Sequence, residues 1–148
     1  MTSSTPSSKG EGSNTYEYSV ELSNDRDDHE RFHAEFFGQI ELCGYDEAAA
    51  FAVRLALEEA VANAFRHGNQ GDSTKTIFIH YTIADEHVLI SVRDQGSGFD
   101  PESVPDPTLD SNLEIPSGRG IMLMRAYMTH VEIVPPGNRL DMRYIRPA

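Results

Sequence analysis

Three short segments that lie far apart in the chain constrain its fold more than any other feature of the sequence. They read LEEAVANAFRHGN, RDQGSGFDP and SGRGIMLMR, and they occupy residues 57–69, 93–101 and 117–125. Each segment brings charged or amide side chains together with glycine, a combination that an ordinary buried core does not favour. We therefore expect the three segments to meet in one pocket.

The first segment predicts a helix that presents an acid and an amide to one ligand. Residues 54–67 contain no glycine or proline, and their apolar side chains recur at a spacing closer to 3.6 than to 2. Glu59 and Asn63 are four residues apart and share one helix face, with about 6 Å between their Cβ atoms. Gly68 and the residues after it supply the stop, because helix ends favour positive φ. Two plainer interpretations stay open: Glu59 lies with Glu58 on a solvated edge, or Asn63 caps local backbone.

The second segment predicts a strand that ends at a carboxylate and then a glycine-rich turn. Apolar and polar residues alternate over residues 87–93, and Asp94 follows them. Gly96 and Gly98 remove side chains where a flat ligand could lie against the backbone. A carboxylate at the bottom of such a cleft can accept a hydrogen bond from an exocyclic amine, as adenine offers. The plainer interpretation is an ordinary turn.

The third segment predicts a helix that begins at glycines. Ser117, Gly118, Arg119 and Gly120 precede a helical apolar pattern. The free N–H groups of a first helical turn, the helix dipole and an arginine form a seat for phosphate oxygens. As an alternative, Arg119 is a surface cation. The four prolines in residues 99–116 indicate a mobile flap between the second and third segments.

The composition indicates one globular domain that does not bind nucleic acid or anionic membranes. A length of 148 residues fits a single domain, and a net charge of −12 repels both of those partners. No apolar run approaches the length that crosses a bilayer, so we expect a cytoplasmic location. Residues 1–14 are rich in Ser, Thr and Gly and predict a disordered tail, which leaves residues 15–148 as the folded domain.

The remaining periodicities predict the fold class. Alternation of apolar residues indicates further strands, and a 3.6 spacing indicates a second helix. The segments are residues 16–22, 76–83, 131–134 and 140–145 for strands and residues 25–42 for the helix. Helices and strands that each have one apolar face must cover one another. We therefore predict the α+β class, a two-layer sandwich in which a mixed β-sheet packs against helices.

With these motifs the chain resembles a known superfamily of ATP-binding domains. The spaced residues are Glu59-x-x-x-Asn63, Asp94-x-Gly96-x-Gly98 and Gly118-x-Gly120. They resemble the N box and the two glycine boxes of the GHKL superfamily, which includes gyrase, histidine kinases and MutL. Within it, the chain is similar over residues 16–146 to the RsbW-type anti-sigma factor serine kinases. The resemblance implies the Bergerat ATP-binding fold.

The resemblance implies roles for the first two motifs. Asn63 would ligate the Mg²⁺ that bridges the ATP phosphates, and Glu59 would be the catalytic base. Asp94 would bind the adenine amine, with Gly96 and Gly98 forming the glycine box beside the base.

The resemblance implies roles for five further residues. His67 would support the pocket without acting in catalysis. Ser117, Gly118, Arg119 and Gly120 would lie close to the phosphates of ATP.

The function implied by the resemblance is that of a protein serine/threonine kinase that also sequesters a sigma factor. Its substrate would be a serine or threonine of an anti-anti-sigma (STAS) protein, its cofactors ATP and Mg²⁺, and relatives often form homodimers. One alternative is a partner-switching module that binds ATP or ADP and transfers nothing. Another is the detached catalytic domain of a histidine kinase, although His29 and His33 lack the proline-bearing context of a phosphoacceptor helix.

Overall fold

The computed structural model describes residues 3–6, 15–96, 116–135 and 137–147. In chain order the elements are β1 (Ser3–Pro6), β2 (Tyr16–Leu22), α1 (Arg26–Leu42), α2 (Glu47–Asn63), β3 (Ile77–Ile83), β4 (His87–Arg93), α3 (Pro116–Tyr127), β5 (His130–Val134) and β6 (Arg139–Ile145). A π-helical segment, Ala64–Gly68, directly follows α2 and is called the π turn below. The predicted flap falls largely outside the described residues. No helix within the described ranges is long and apolar enough to cross a membrane.

The strands form one sheet in the order β1-β2-β3-β4-β6-β5, with helices against one face. The predicted α+β two-layer architecture is therefore confirmed, but the prediction of a mixed sheet is wrong, because every described strand pair is antiparallel. The physical reason is the position of β6. It lies between β4 and β5, the two strands that α3 connects in one direction, so these strands never form a parallel ladder.

Period-two alternation directs one side of each central strand toward the helices. In β3, Ile77, Ile79, Tyr81 and Ile83 are all buried, and the residues between them are less buried. The helices meet this face with apolar stripes of their own, which in α1 consist of Phe32, Phe36 and Ile40. The Tyr81 hydroxyl donates to Gln39 Oε1 at 2.7 Å, so the polar end of this core tyrosine is satisfied.

The first strand differs from the prediction of a disordered tail. Ser3–Pro6 forms β1 and pairs with β2 in antiparallel register, from Ser3 opposite Glu21 to Pro6 opposite Tyr18. The edge of β2 offers unpaired backbone N–H and C=O groups, and pairing with them requires no apolar pattern in the added strand. Composition is therefore a poor guide for these four residues. The rest of residues 1–14 lies outside the described ranges.

The connections place the last residues of α2 and the first residues of α3 at the same end of the strands. The register pairs Arg93 with Arg139 and Arg139 with Val134, so β4 ends, β6 begins and β5 ends at this end of the sheet. Helix α2 leads into the start of β3 at the same end, whereas α3 leads to the start of β5 at the opposite end. Helices α2 and α3 are therefore antiparallel, and the Phe51 and Tyr127 rings meet at 6.0 Å between centroids at their far ends. The end of α2 and the start of α3 thus lie on the same side of the molecule.

Candidate functional site

Helix α2 holds Glu59 and Asn63 in its last turns. The helix begins at Glu47, and the preceding residue, Asp46, is its N-cap, whose Oδ1 accepts from the Ala49 N–H at 2.8 Å. It buries Ala49, Ala52, Val53, Ala56, Leu57, Ala60 and Val61 against the rest of the molecule. Glu59 and Asn63 are half-buried beside this apolar stripe. The predicted helix, and the location of both residues near its end, are confirmed.

The two adjacent glutamates of α2 lie in different surroundings. Glu58 is exposed and lines a groove of about 710 Å³ between α1 and α2, together with His33 and Arg54. Glu59 lies about 100° further around the helix and is not among the residues that line this groove. The structure thus separates two carboxylates that are neighbours in sequence, and it leaves Glu59 on the side of Asn63.

The helix ends through a π turn rather than through a left-handed glycine at its terminus. The Asn69 N–H donates to the Ala64 carbonyl at 2.8 Å, a five-residue step, and the Gly71 N–H donates to the Phe65 carbonyl at 2.9 Å. The left-handed residues are Gln70, with φ 55°, and Gly71, with φ 72°. The predicted stop at Gly68 is therefore correct in place, but the positive φ falls two and three residues later. Such π-helical irregularities are frequent at functional sites.

Gly68 is a site of close approach between the end of the helix and Asp94. A Cβ at Gly68 would overlap the carboxylate of Asp94, and a Cβ at Gly96 would overlap the carbonyl oxygen of Gly68. Only glycine provides the space for these contacts. The predicted meeting of the first and second segments is therefore observed, and two glycines make it possible.

Asp94 ends β4 and is oriented by its own turn. Its backbone N–H donates to the Asn138 carbonyl at 2.9 Å, which ties the strand end to the loop before β6. Its Oδ1 accepts from the Gly96 N–H at 2.7 Å. Burial raises the pKa of this carboxyl, and the Gly96 hydrogen bond and Lys75 oppose that shift. A half-buried carboxylate with one oxygen already oriented is suited to accept a hydrogen bond from a ligand.

Asn69 lies within the candidate site, although the sequence motifs did not predict a role for it. Its side chain is fully buried, and it joins three elements. Its Nδ2 donates to the Thr76 carbonyl at 3.0 Å, and its Oδ1 accepts from the Gln95 N–H at 2.7 Å. The Thr76 N–H in turn donates to Gln95 Oε1 at 2.8 Å. The only sequence signal was an amide directly after the glycine that ends the motif helix.

The third segment begins α3, as predicted. Pro116 is the first residue of the helix, and the backbone of Ser117, Gly118, Arg119 and Gly120 is helical in its first turns. A proline at this position needs no N–H and has a suitable φ. These residues begin the helix on the side of the molecule where α2 ends. Completion of one pocket by this third segment stays a prediction. Gly98 lies outside the described residues, and the phosphate contacts stay predictions.

His67 and the proposed metal ligand lie on the same stretch of chain. His67 belongs to the π turn and is largely exposed. The loss of part of its hydration to the surrounding chain and the positive charge of Arg66 both lower its pKa. Within the described ranges, no three His, Cys, Asp or Glu side chains gather as a metal site. The half-buried Asn63 offers one amide oxygen, which would fit a cation that is shared with phosphates and water, and its role as a metal ligand stays a prediction.

These residues belong to a recognised domain family. The family model described as histidine kinase-like ATPase domain matches residues 26–144. The chain therefore belongs to the histidine kinase-like ATPase domain family. The match covers α1, α2, both central strands, α3 and nearly all of β6, and so it includes all three motifs.

Within that family the chain is similar to anti-sigma F factors. The protein of that name from Clostridium perfringens is 32% identical over 89 residues, which are 59% of this chain and 64% of the relative. The anti-sigma F factor of Halalkalibacterium halodurans is 32% identical over 84 residues, 55% of this chain and 58% of the relative. That of Bacillus thuringiensis is 29% identical over 84 residues, with the same two shares. The chain thus spans about three fifths of the curated relatives that it matches.

Proposed function

We propose that this chain is an ATP-dependent protein serine/threonine kinase of the anti-sigma factor type. It would bind Mg-ATP between the end of α2, the loop of residues 94–96 and the start of α3. Its substrate would be a serine or threonine of an anti-anti-sigma STAS protein. The observation that carries the proposal is the close contact of Gly68, at the end of the motif helix, with the Asp94 carboxylate. The names of the matched relatives support sequestration of a sigma factor as the second activity.

Asp94 is the residue that would select adenine. Its Oδ1 is held by the Gly96 N–H, and an ionised carboxylate can only accept further hydrogen bonds. Adenine presents an amine donor at its 6-position, whereas guanine and hypoxanthine present a carbonyl oxygen there. An acceptor facing an acceptor is unfavourable, so we expect ATP to bind more tightly than GTP or ITP.

Asn63 and the start of α3 would hold the triphosphate end. The half-buried Asn63 offers an amide oxygen, the kind of hard ligand that Mg²⁺ prefers. Arg119 and the free N–H groups of the first turn of α3, which includes Gly118 and Gly120, would face the phosphate oxygens. The chain has a net charge of −12, so it can bind an anion such as ATP only where nearby cations and backbone dipoles make the local electrostatic potential positive. We therefore expect tight nucleotide binding only when a divalent cation is present.

Glu59 would act as the general base. It lies one helical turn before Asn63 on the same face, and so it would stand beside the phosphate end of the nucleotide. It would accept the proton of the attacking serine or threonine hydroxyl group. The hydroxyl oxygen would form a bond to the γ-phosphorus of ATP while the bond from that phosphorus to the β,γ-bridging oxygen breaks, and ADP would be the leaving group. The metal ion, when bound, would neutralise charge on the transferred phosphoryl group.

Two measurements test the proposal in sequence. Titration calorimetry with Mg-ATP comes first, and we expect saturable heat that disappears when EDTA is added. Incubation with labelled ATP and candidate STAS proteins follows, and we expect label on a serine or threonine of one of them. Saturable binding without transfer to any candidate would favour a nucleotide-binding partner-switching module instead. The absence of saturable binding at millimolar Mg-ATP would refute both functions.

Two further expectations follow from the proposed partner. A chain that sequesters a sigma factor would work in the cytoplasm, where transcription takes place. The homodimer implied by the resemblance stays a prediction, which sedimentation equilibrium of the purified chain would test.

A further inference from the structure

Asn69 is a fully buried polar residue whose backbone N–H and side chain connect the end of the motif helix to the start of β3 and to the loop after β4. Its backbone N–H closes the π turn at Ala64, and its side chain reaches both the start of β3 and the residue after Asp94. The Thr76 N–H completes the ring by donating to the Gln95 side chain. A buried amide with both ends satisfied fixes its neighbours, because any displacement leaves a donor or acceptor unpaired.

The loop of residues 94–96 is held from two sides. Asn138 accepts from the Asp94 N–H on the side of β6. Asn69 accepts from the Gln95 N–H on the side of α2. Among the described residues, the bond from the Gln95 N–H to the Asn69 side chain is the hydrogen bond that ties this loop to the chain directly after the motif helix. The orientation of the Asp94 carboxylate relative to that helix therefore depends on Asn69.

We infer that Asn69 is a positioning residue that sets nucleotide base selectivity by holding Asp94 at a fixed place beside α2. This inference rests on the proposed function, in which Asp94 accepts from the adenine amine. Asn69 does not touch the nucleotide. It acts through the Gln95 backbone, and its loss frees the carboxylate to adopt other orientations. The phosphate end, which depends on Asn63 and α3, keeps its contacts.

The test compares two nucleotides that differ at the atom that Asp94 would contact. ITP carries a carbonyl oxygen where ATP carries the 6-amine. For the natural chain we expect Mg-ATP to bind more tightly than Mg-ITP by calorimetry. For Asn69→Ala we expect this preference to fall by about tenfold, because the affinity for ATP falls while that for ITP is nearly unchanged. A purely structural role would lower both affinities together.

Hydrogen exchange of the unliganded protein provides a readout that does not depend on nucleotide. The Gln95 N–H donates to Asn69 Oδ1 and the Gly96 N–H donates to Asp94 Oδ1, so we expect both amides to exchange slowly in the natural chain. In Asn69→Ala we expect both amides to exchange at least about tenfold faster, while amides in the middle of β3 stay protected. This arm tests the positioning role even if the chain binds no nucleotide.

Two further variants make the comparison specific. Asp72→Ala is the matched control, because Asp72 lies in the same connection and its Oδ1 accepts from the Thr74 N–H at 2.9 Å and from the Thr74 hydroxyl at 2.6 Å. The Asp72 backbone N–H, which donates to the Asn69 carbonyl at 3.0 Å, is unchanged by this substitution. Asp72→Ala should leave selectivity and Gln95 exchange unchanged. Gln95→Ala removes only the exposed side chain that accepts from Thr76, so it folds even if Asn69→Ala does not. It should shift selectivity in the same direction by a smaller factor.

The outcomes separate this inference from the proposed function. If the natural chain binds Mg-ATP but folded Asn69→Ala keeps the full preference over Mg-ITP, Asn69 does not set selectivity. The same conclusion follows if Asp72→Ala alters the preference for Mg-ATP as much as Asn69→Ala does. If Asn69→Ala does not fold, the test passes to Gln95→Ala, and an unchanged preference for Mg-ATP in that variant leads to the same conclusion. If the natural chain binds neither nucleotide, the proposed function and the role of Asn69 in selectivity both fail. If the Gln95 amide of Asn69→Ala then exchanges as slowly as that of the natural chain, the positioning role is excluded as well.

Discussion

Replacing Gly68 with alanine is the sharpest test of the contact between the motif helix and Asp94. The added Cβ would overlap the Asp94 carboxylate, and Gly96 lies against the carbonyl oxygen of Gly68. The methyl group has no free space, so either the carboxylate or the π turn must move. Overpacking of this kind costs about 1–3 kcal/mol. We expect the free energy of unfolding to fall by about 2 kcal/mol, close to a thirtyfold change in the folding equilibrium.

Two assays measure the effect of Gly68→Ala. The chain contains no tryptophan, so urea unfolding is best followed by far-ultraviolet circular dichroism, with the midpoint as the readout. Calorimetry then gives the affinity for Mg-ATP. Displacing a carboxylate that accepts from the nucleotide removes about 1.5–3 kcal/mol of binding, so we expect affinity to fall at least tenfold.

Gly38→Ala is the matched control for the glycine substitution. Gly38 lies within α1, its φ is not left-handed, and a Cβ there would meet nothing within 4 Å. Alanine at such a position stabilises a helix, and we expect a gain of about 0.4–1 kcal/mol. The two glycine substitutions should therefore change the free energy of unfolding in opposite directions.

A double substitution identifies the atoms responsible. Asp94→Ala removes the carboxylate that the new Cβ of Gly68→Ala would overlap but keeps the Asp94 Cβ, which would lie 2.6 Å away, so the pair should recover only part of the lost stability. Strictly additive effects would show that the cost of Gly68→Ala does not come from the Asp94 carboxylate. A Gly68→Ala protein with the stability and Mg-ATP affinity of the natural chain would refute the reasoning altogether.

Three further predictions concern the other site residues. Glu59→Gln should keep Mg-ATP affinity and lower the rate of phosphotransfer to a STAS substrate by a factor of about 10²–10⁴, whereas Glu58→Gln should leave that rate unchanged. Equal rates in Glu59→Gln and the natural chain would exclude Glu59 as the base. Asn63→Ala should weaken binding measured with Mg²⁺ and change little without it, and an unchanged metal dependence would exclude Asn63 as ligand. The raised pKa of Asp94 means that its ionised form destabilises the unliganded fold, so stability should fall as pH rises from 3.8 through the raised value. Asp94→Asn should abolish that fall in urea midpoints and still weaken ATP binding; an unchanged pH profile would contradict the assignment.

Local periodicity in the sequence determined the helices and strands that hold the motifs. The placement of Glu59 and Asn63 on one face depends on the 3.6-residue repeat alone, and α2 extends over both of them. Alternation predicted β4 and the position of Asp94 at its end, and the glycines with an apolar pattern predicted the start of α3. Interactions within a few residues are sufficient for such features, so a sequence records them directly.

Only the tertiary structure decided how these elements meet. The bond from the Gln95 N–H to Asn69 joins residues 26 positions apart, and the overlap that excludes a Cβ at Gly68 depends on how α2 lies on the sheet. The insertion of β6 between β4 and β5, which makes the sheet antiparallel, likewise has no local signature. Packing selects among many strand orders that share the same periodicities, because burial depends on which faces meet rather than on their order in the chain. For that reason the sequence supplied the candidate residues, and the fold showed that Asn69 joins the end of the motif helix to the loop after β4.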